Sequence, residues 1–187
     1  MTHPSEQEWA SISEHTRASN FPGDLLRIPP YPLILTLRTL VGSIGSVIAS
    51  HTHYQWEPQT KWQAWLFTAE TVAYAEASYA ETNYDYDEDN ERRTKPDAFD
   101  KPIAAAPVHA WVRPANALSA LSVDAVHYVR RSRPFREPPP EFYPTSIKLA
   151  FSDGISTTIS LAGALDDPGK LERWERFVAT ARSALSR

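Results

Sequence analysis

The sequence contains no cysteine, which removes disulfides, thiolate catalysis and cysteine-ligated zinc together. Glycine is scarce, at six residues in 187. Phosphate cradles built on glycine are correspondingly missing: there is no G-x-G-x-x-G and no P-loop, and Gly42-Ser-Ile-Gly45-Ser lacks the lysine and the spacing. No G-x-S-x-G nucleophile elbow occurs either. Long apolar runs are also absent. The most apolar stretch, Leu33 to Ala49, is broken by Arg38, Gly42 and Gly45 and falls short of the about 20 residues a bilayer helix needs. Thr2 to Glu14 is polar and has no apolar signal-peptide segment, so a cytoplasmic location is the expectation. The chain is too short for a (β/α)₈ barrel of about 250 residues. What is present is proline, 16 residues, and tryptophan, six. With 42% hydrophobic and 22% charged residues a core can form, and one domain over 1–187 with short elements and many connections is expected.

The formal charge is −4, and the excess is local. Residues 81–100 hold eight acids and three bases, leaving the rest of the chain close to neutral. This balance does not suit a general nucleic-acid binder, which presents a basic face. Arg130, Arg131, Arg133 and Arg136 form one small basic cluster, and paired guanidinium groups can grip an anion or a membrane headgroup. Arginine outnumbers lysine 14 to 5, a compositional hint of a bacterial source.

Along the chain, Ser5-Glu6-Gln7-Glu8 has capping-box spacing, so a short helix with Trp9 and Ile12 on its apolar face is expected. It sits in an N-terminal arm, 1–32, whose residues 20–32 read as a proline-punctuated connector, with a PxxP spacing at Pro29 and Pro32. Leu33–Leu40 can open a helix that Gly42 and Gly45 weaken. Strands are expected over 46–54, 62–68 and 71–79, the last against its alanine-rich, helix-favouring composition. Residues 80–106 read as an acidic, mobile loop. Val108–Arg113 alternates, with Trp111 on one face and Val108, Ala110 and Val112 on the other, and Pro114 ends it. Leu118–Arg131 is a longer strand whose apolar parity changes between Val123 and Val126, which calls for a bulge. Residues 136–144 read as a proline-rich excursion.

The next hairpin can be specified more closely. A three-residue loop over 152–154 pairs Phe151 with Ile155 and puts Ile147, Leu149, Phe151, Ile155, Ile159 and Leu161 on one face, with Gly154 left-handed; a two-residue loop would split the set. A helix over 167–186 closes the chain, with Asp167 as cap, Pro168 at the first position and Leu171, Trp174, Phe177, Val178, Ala181 and Leu185 at helical spacing. Glu172 and Arg176 form an i, i+4 pair on its polar face.

These elements define an α+β chain: a bent antiparallel sheet or partly open barrel of about seven strands with one amphipathic C-terminal helix. The order of elements, the Phe151-Ser-Asp-Gly154 hairpin and the final helix with Trp174 resemble the pleckstrin-homology-like fold in its broad sense, including bacterial and GRAM-type members, over about residues 43–187. The resemblance implies a binding module for lipids, peptides or partner proteins, without catalytic residues. The basic signature for inositol phosphates is missing between the first two expected strands, where Glu57, Pro58, Gln59, Thr60 and Lys61 stand.

A second pattern points elsewhere. His51 and His53 are two apart, so on a strand both imidazoles share a face and can reach one metal. Gly45, His51, His53 and Glu57 resemble the first cupin motif, which implies a jelly roll holding a divalent metal through the histidines and the glutamate. Ala64 stands where that motif ends in glycine, and no second motif follows: the fourth residue after His109 is Arg113, and after His127 it is Arg131. Such a set would be a two-histidine, one-carboxylate site. Asp85, Asp87 and Asp89 resemble the first three ligands of a calcium loop, but Pro96 occupies the place of its bidentate glutamate.

The expected function is non-enzymatic recognition of a protein or peptide, with no cofactor. Its candidate contacts are Tyr84 and Tyr86 in the acidic loop, Phe142 and Tyr143 after the proline run, and Arg130, Arg131 and Arg133. A metal-dependent cupin-like enzyme using His51, His53 and Glu57 is the alternative, and a structural or immunity-type subunit is a third reading.

Overall fold

Strands 61–67 and 71–78 show why one sheet is covered on both sides. Trp62, Ala64 and Leu66 alternate with Trp65 and Phe67, and all five are buried. An antiparallel sheet with one wet face would show apolar residues at every second position only. The computed structural model describes residues 6–16, 18–20, 25–27, 29–55, 58–79, 87–89, 91, 106–129, 141–161 and 168–186.

Among these, helix α1 (Glu6–Thr16) is followed by a small hairpin of β1 (Ala18–Asn20) and β2 (Leu25–Arg27), then α2 (Tyr31–Val41). The first large sheet is antiparallel, in the order β3 (Ala49–Gln55), β4 (Lys61–Phe67), β5 (Thr71–Ser78) and β6 (Ala106–Pro114). The second is β7 (Leu118–Val129), β8 (Glu141–Phe151) and β9 (Ser156–Ser160), also antiparallel. Helix α3 (Pro168–Ala184) closes the chain. The chain is thus α+β, as expected, with two large antiparallel sheets of four and three strands and a C-terminal helix; no ladder joins these two sheets among the described residues.

The principal core lies between the sheets. Trp65, Phe67, Val72 and Tyr74 of the first sheet meet Leu118, Ile147, Leu149, Phe151 and Ile159 of the second, and Leu171, Trp174, Phe177 and Ala181 of α3 fill the space between. A second core covers the other face of the first sheet, where Leu33 and Leu37 of α2 pack on Tyr54, Trp62, Ala64, Leu66, Ala73, Ala75 and Ala77. The small alanines of β5 let the helix approach closely, which explains how an alanine-rich stretch is a strand: burial on both faces outweighs its helix propensity.

Several expectations change in detail. Residues 20–32 are more than a connector: β1 pairs with β2, and α2 already starts at Tyr31. Pro32 lies in the first turn of α2, where a missing N–H costs nothing, and Pro29 is buried, so no PxxP ridge is presented. Gly42, at φ 72°, ends α2, and its N–H donates to the Arg38 carbonyl at 3.0 Å. Ser46 belongs to a 3₁₀ turn over Ile44–Ser46, so the strand starts at Ala49.

The acidic stretch is described only in part. Asp87–Asp89 are helical and Asp89 is buried. The proline-rich excursion ends earlier than expected, because Glu141–Pro144 already belong to β8. Pro144 can stand inside a ladder because the register slips opposite it, between Ala125 and Val126. This slip, with another between Val123 and Ala125, is the bulge expected from the parity change.

The β8–β9 turn has the expected three residues. The Phe151 N–H donates to the Ile155 carbonyl at 2.9 Å, and Gly154 has φ 83°. Ile155 does not join the buried set and is 48% exposed, since it lies at the tip. In α3, Ala184 takes the buried place expected of Leu185. Asp167, the expected cap, lies outside the described residues.

Candidate functional site

Strand pairing lays the inner face of the first sheet out in rows. Ala49, Phe67, Val72 and Arg113 form one row; His51, Trp65, Tyr74 and Trp111 the next; His53, Gln63, Glu76 and His109 a third. The face grades from apolar to polar along the strands. Both β3 histidines share a face, as their spacing implies, and it is the inner one.

His51 is a core residue. Its ring lies 4.7 Å from Trp174, 5.7 Å from Phe177 and 5.9 Å from Trp65. Its Nε2 lies 3.0 Å from the Ser160 carbonyl, so that nitrogen carries the proton and donates. Burial pushes its pKa down to about 3, partly offset by the Ser160 carbonyl and reinforced by the charges of His53, Lys170 and Arg173. A neutral imidazole with its Nε2 engaged and its faces covered by indole and phenyl rings ties β3 to β9 and α3. This arrangement does not fit a metal ligand. Trp174 extends the same tie: its Nε1 donates to the Pro144 carbonyl of β8 at 2.5 Å.

The polar row is a closed network. Glu76 accepts from Tyr74 Oη at 2.5 Å and from Gln63 Nε2 at 2.9 Å on one oxygen, and pairs with Lys61 Nζ at 3.0 Å on the other. Gln63 Nε2 also lies 2.9 Å from Tyr74 Oη. Burial would raise the Glu76 pKa, but the donors Tyr74, Lys61 and Gln63 outweigh it and hold the carboxyl below its usual range. Burial and the bond to Glu76 push the Tyr74 hydroxyl up. Glu76 is thus an ionised acceptor already occupied by three donors, which is an architectural role and not that of a general base. Burial lowers His53, half-buried beside Gln63, against the pull of the Ser160 carbonyl. Among the described residues no three histidine, aspartate or glutamate side chains come close enough to hold an ion.

At the opposite end of the face, Arg113 joins the sheets. Its Nε donates to Asp153 Oδ2 at 3.0 Å, and its guanidinium lies 4.4 Å from the Trp111 ring and 5.2 Å from that of Phe151. The Ile155 N–H donates to Asp153 Oδ1 at 3.0 Å. That backbone bond is the main cause that lowers the Asp153 pKa, with Arg113 adding to it. The tight turns after β4 and β8 thus meet at one end. Strands β3, β5 and β7 finish at the other ends of the two sheets, and the longer connections, residues 56–60, 79–105 and 130–140, follow them in sequence.

Those connections carry most of the expected contact residues. Tyr84, Tyr86, Arg130, Arg131, Arg133 and Glu57 lie outside the described residues, as does Asp85. Phe142 and Tyr143 are described, and they differ. Tyr143 is half-buried against the principal core, whereas Phe142 is 66% exposed. Val123 and Val126 of β7, at 53% and 54%, are exposed on the same two-stranded arm. Sequence reading missed these two valines as surface residues.

The described residues contain no helix long and apolar enough to cross a membrane. No family model, curated protein or solved structure matches the chain.

Proposed function

We propose that the chain is a non-enzymatic recognition module of pleckstrin-homology-like architecture that binds a protein or peptide through the β7–β8 arm. The observation that carries this reading is the exposure of Val126 and Phe142, diagonal neighbours on one face of the β7–β8 pair. Large apolar side chains grouped on a surface mark interaction sites. The four arginines that follow β7 in sequence favour a partner with acidic groups beside its apolar ones. The four-and-three division of the strands with a helix packed between the sheets supports the architecture, and the saturated Glu76 network and enclosed His51 favour binding over catalysis.

The test is photocrosslinking in the source cell. Benzoylphenylalanine placed at Phe142 or at Val126 should trap a discrete partner, with a yield that falls at high salt. The same group at exposed Asn116, beyond the other end of β7, should not. Equal labelling from all three positions, or none from the arm, would contradict the proposal.

A further inference from the structure

At the tight-turn end, away from the arm, a groove of about 270 Å³ opens between the last two turns of α3 and the β4–β5 turn. Its floor is Phe67, Ala115 and Ala184, all buried, and Ile48 and Ala179 form its sides. Ile48 is 46% exposed, an unusual position for isoleucine beside a concave apolar surface. Arg176 is the one charged residue in the lining. Two of the rim hydroxyls are already engaged: Thr180 Oγ1 donates to the Arg176 carbonyl at 2.8 Å, and Thr68 Oγ1 lies 2.9 Å from Thr71 Oγ1.

We propose that this groove is a second docking site, which takes a short segment of a partner protein: one or two aliphatic side chains next to a carboxylate. The volume is below the roughly 300–1,000 Å³ of pockets that enclose small ligands, and suits one or two side chains in an open trough. The charge selects the neighbour. Arg176 is held by Glu172 at 3.2 Å in an exposed i, i+4 pair, and such a pair is weak enough for an incoming carboxylate to replace it. A guanidinium accepts a carboxylate in a bidentate grip that fixes the segment's direction. The site stands on the groove alone, so it and the arm can fail separately.

The experiment uses two probes, acetyl-Leu-Ile-Glu-amide and acetyl-Leu-Ile-Gln-amide, titrated into isotope-labelled full-length protein. Amide shifts should move at Ile48, Ala69, Thr180 and Ser183. The Glu probe should bind roughly threefold to fivefold tighter at low salt. R176Q should remove that difference and retain the weaker binding. A179L, on the half-exposed side of α3, should abolish binding of both probes; the variant's own amide spectrum reports whether it is folded, and I48S serves as a second variant that weakens both. No shifts at millimolar probe, equal affinity for the two probes, or binding that survives A179L in a folded protein would each overturn the site.

Discussion

His51 makes the fold sensitive to mild acid. Its pKa is about 3 in the folded protein against an ordinary 6.5, so the folded state keeps it neutral while an unfolded chain takes up a proton below pH 6.5. Its contribution is complete above that pH and is lost as the pH falls from 6.5 towards 3. His15 and His53 are lowered too, and act in the same direction. Urea unfolding should therefore give a lower stability at pH 5.0 than at 7.5, with a limiting slope of about 1.4 kcal/mol per pH unit from His51. H51Q should flatten that slope; a stability independent of pH over this range would contradict the assignment. Gly154 gives a simpler test. A Cβ there meets nothing within 4 Å, so G154A should cost only the left-handed backbone strain, about 1–2 kcal/mol by thermal unfolding. At this scale the sequence was readable where backbone chemistry decides: the Gly154 turn, the inward pair His51 and His53, the Glu172–Arg176 bridge. It was silent on what surrounds His51, because Ser160 and Trp174 lie over a hundred residues away in the chain.

Helices α2 and α3 occupy opposite faces of the first sheet, and their contributions separate. Leu37 is fully buried against the alanines of β5. L37A should cost about 2–5 kcal/mol in urea unfolding. Trp174 touches His51 and Phe177 and donates to the Pro144 carbonyl. W174F loses volume and leaves that carbonyl without its indole donor; about 1–3 kcal/mol is expected. A loss below 0.5 kcal/mol would mean that α3 does not lock the sheets together. Element types followed periodicity well: α3 and the strands from 61 to 114 are where alternation or helical spacing placed them. The short β1–β2 hairpin escaped because three-residue strands carry no period to detect. The start of β8 escaped because proline suggests a break, whereas the register slip at Thr145 beside it lets Pro144 stand in the ladder.

For the whole molecule, two sheets and a wedged helix form a body with two unlike ends. One end is closed by Arg113, Asp153 and the tight turns; at the other stand the exposed side chains of the β7–β8 arm. A sequence can show strands and a helix, but the division into sheets of four and three depends on pairings between distant segments, so it was not legible in advance. The exposed side chains of the arm, unlike Tyr143 and Pro144 beside them, contribute little to stability. V126S with F142S should leave unfolding within about 0.5 kcal/mol of the parent, since both side chains are exposed, while abolishing partner crosslinking. Unfolding of the double variant would show that the arm belongs to the core.

The β3 histidines serve the fold: His51 donates to the Ser160 carbonyl and is enclosed by aromatic rings. Imidazole ¹⁵N spectra of the untagged protein, recorded at pH 5.5 before and after addition of zinc, manganese, nickel or ferrous iron, test it most directly. His51 should be neutral and Nε2-protonated, and no metal should perturb it. A His51 that titrates near 6.5, or that shifts together with His53 on binding one equivalent of metal, would contradict it and return the chain to metal-dependent chemistry.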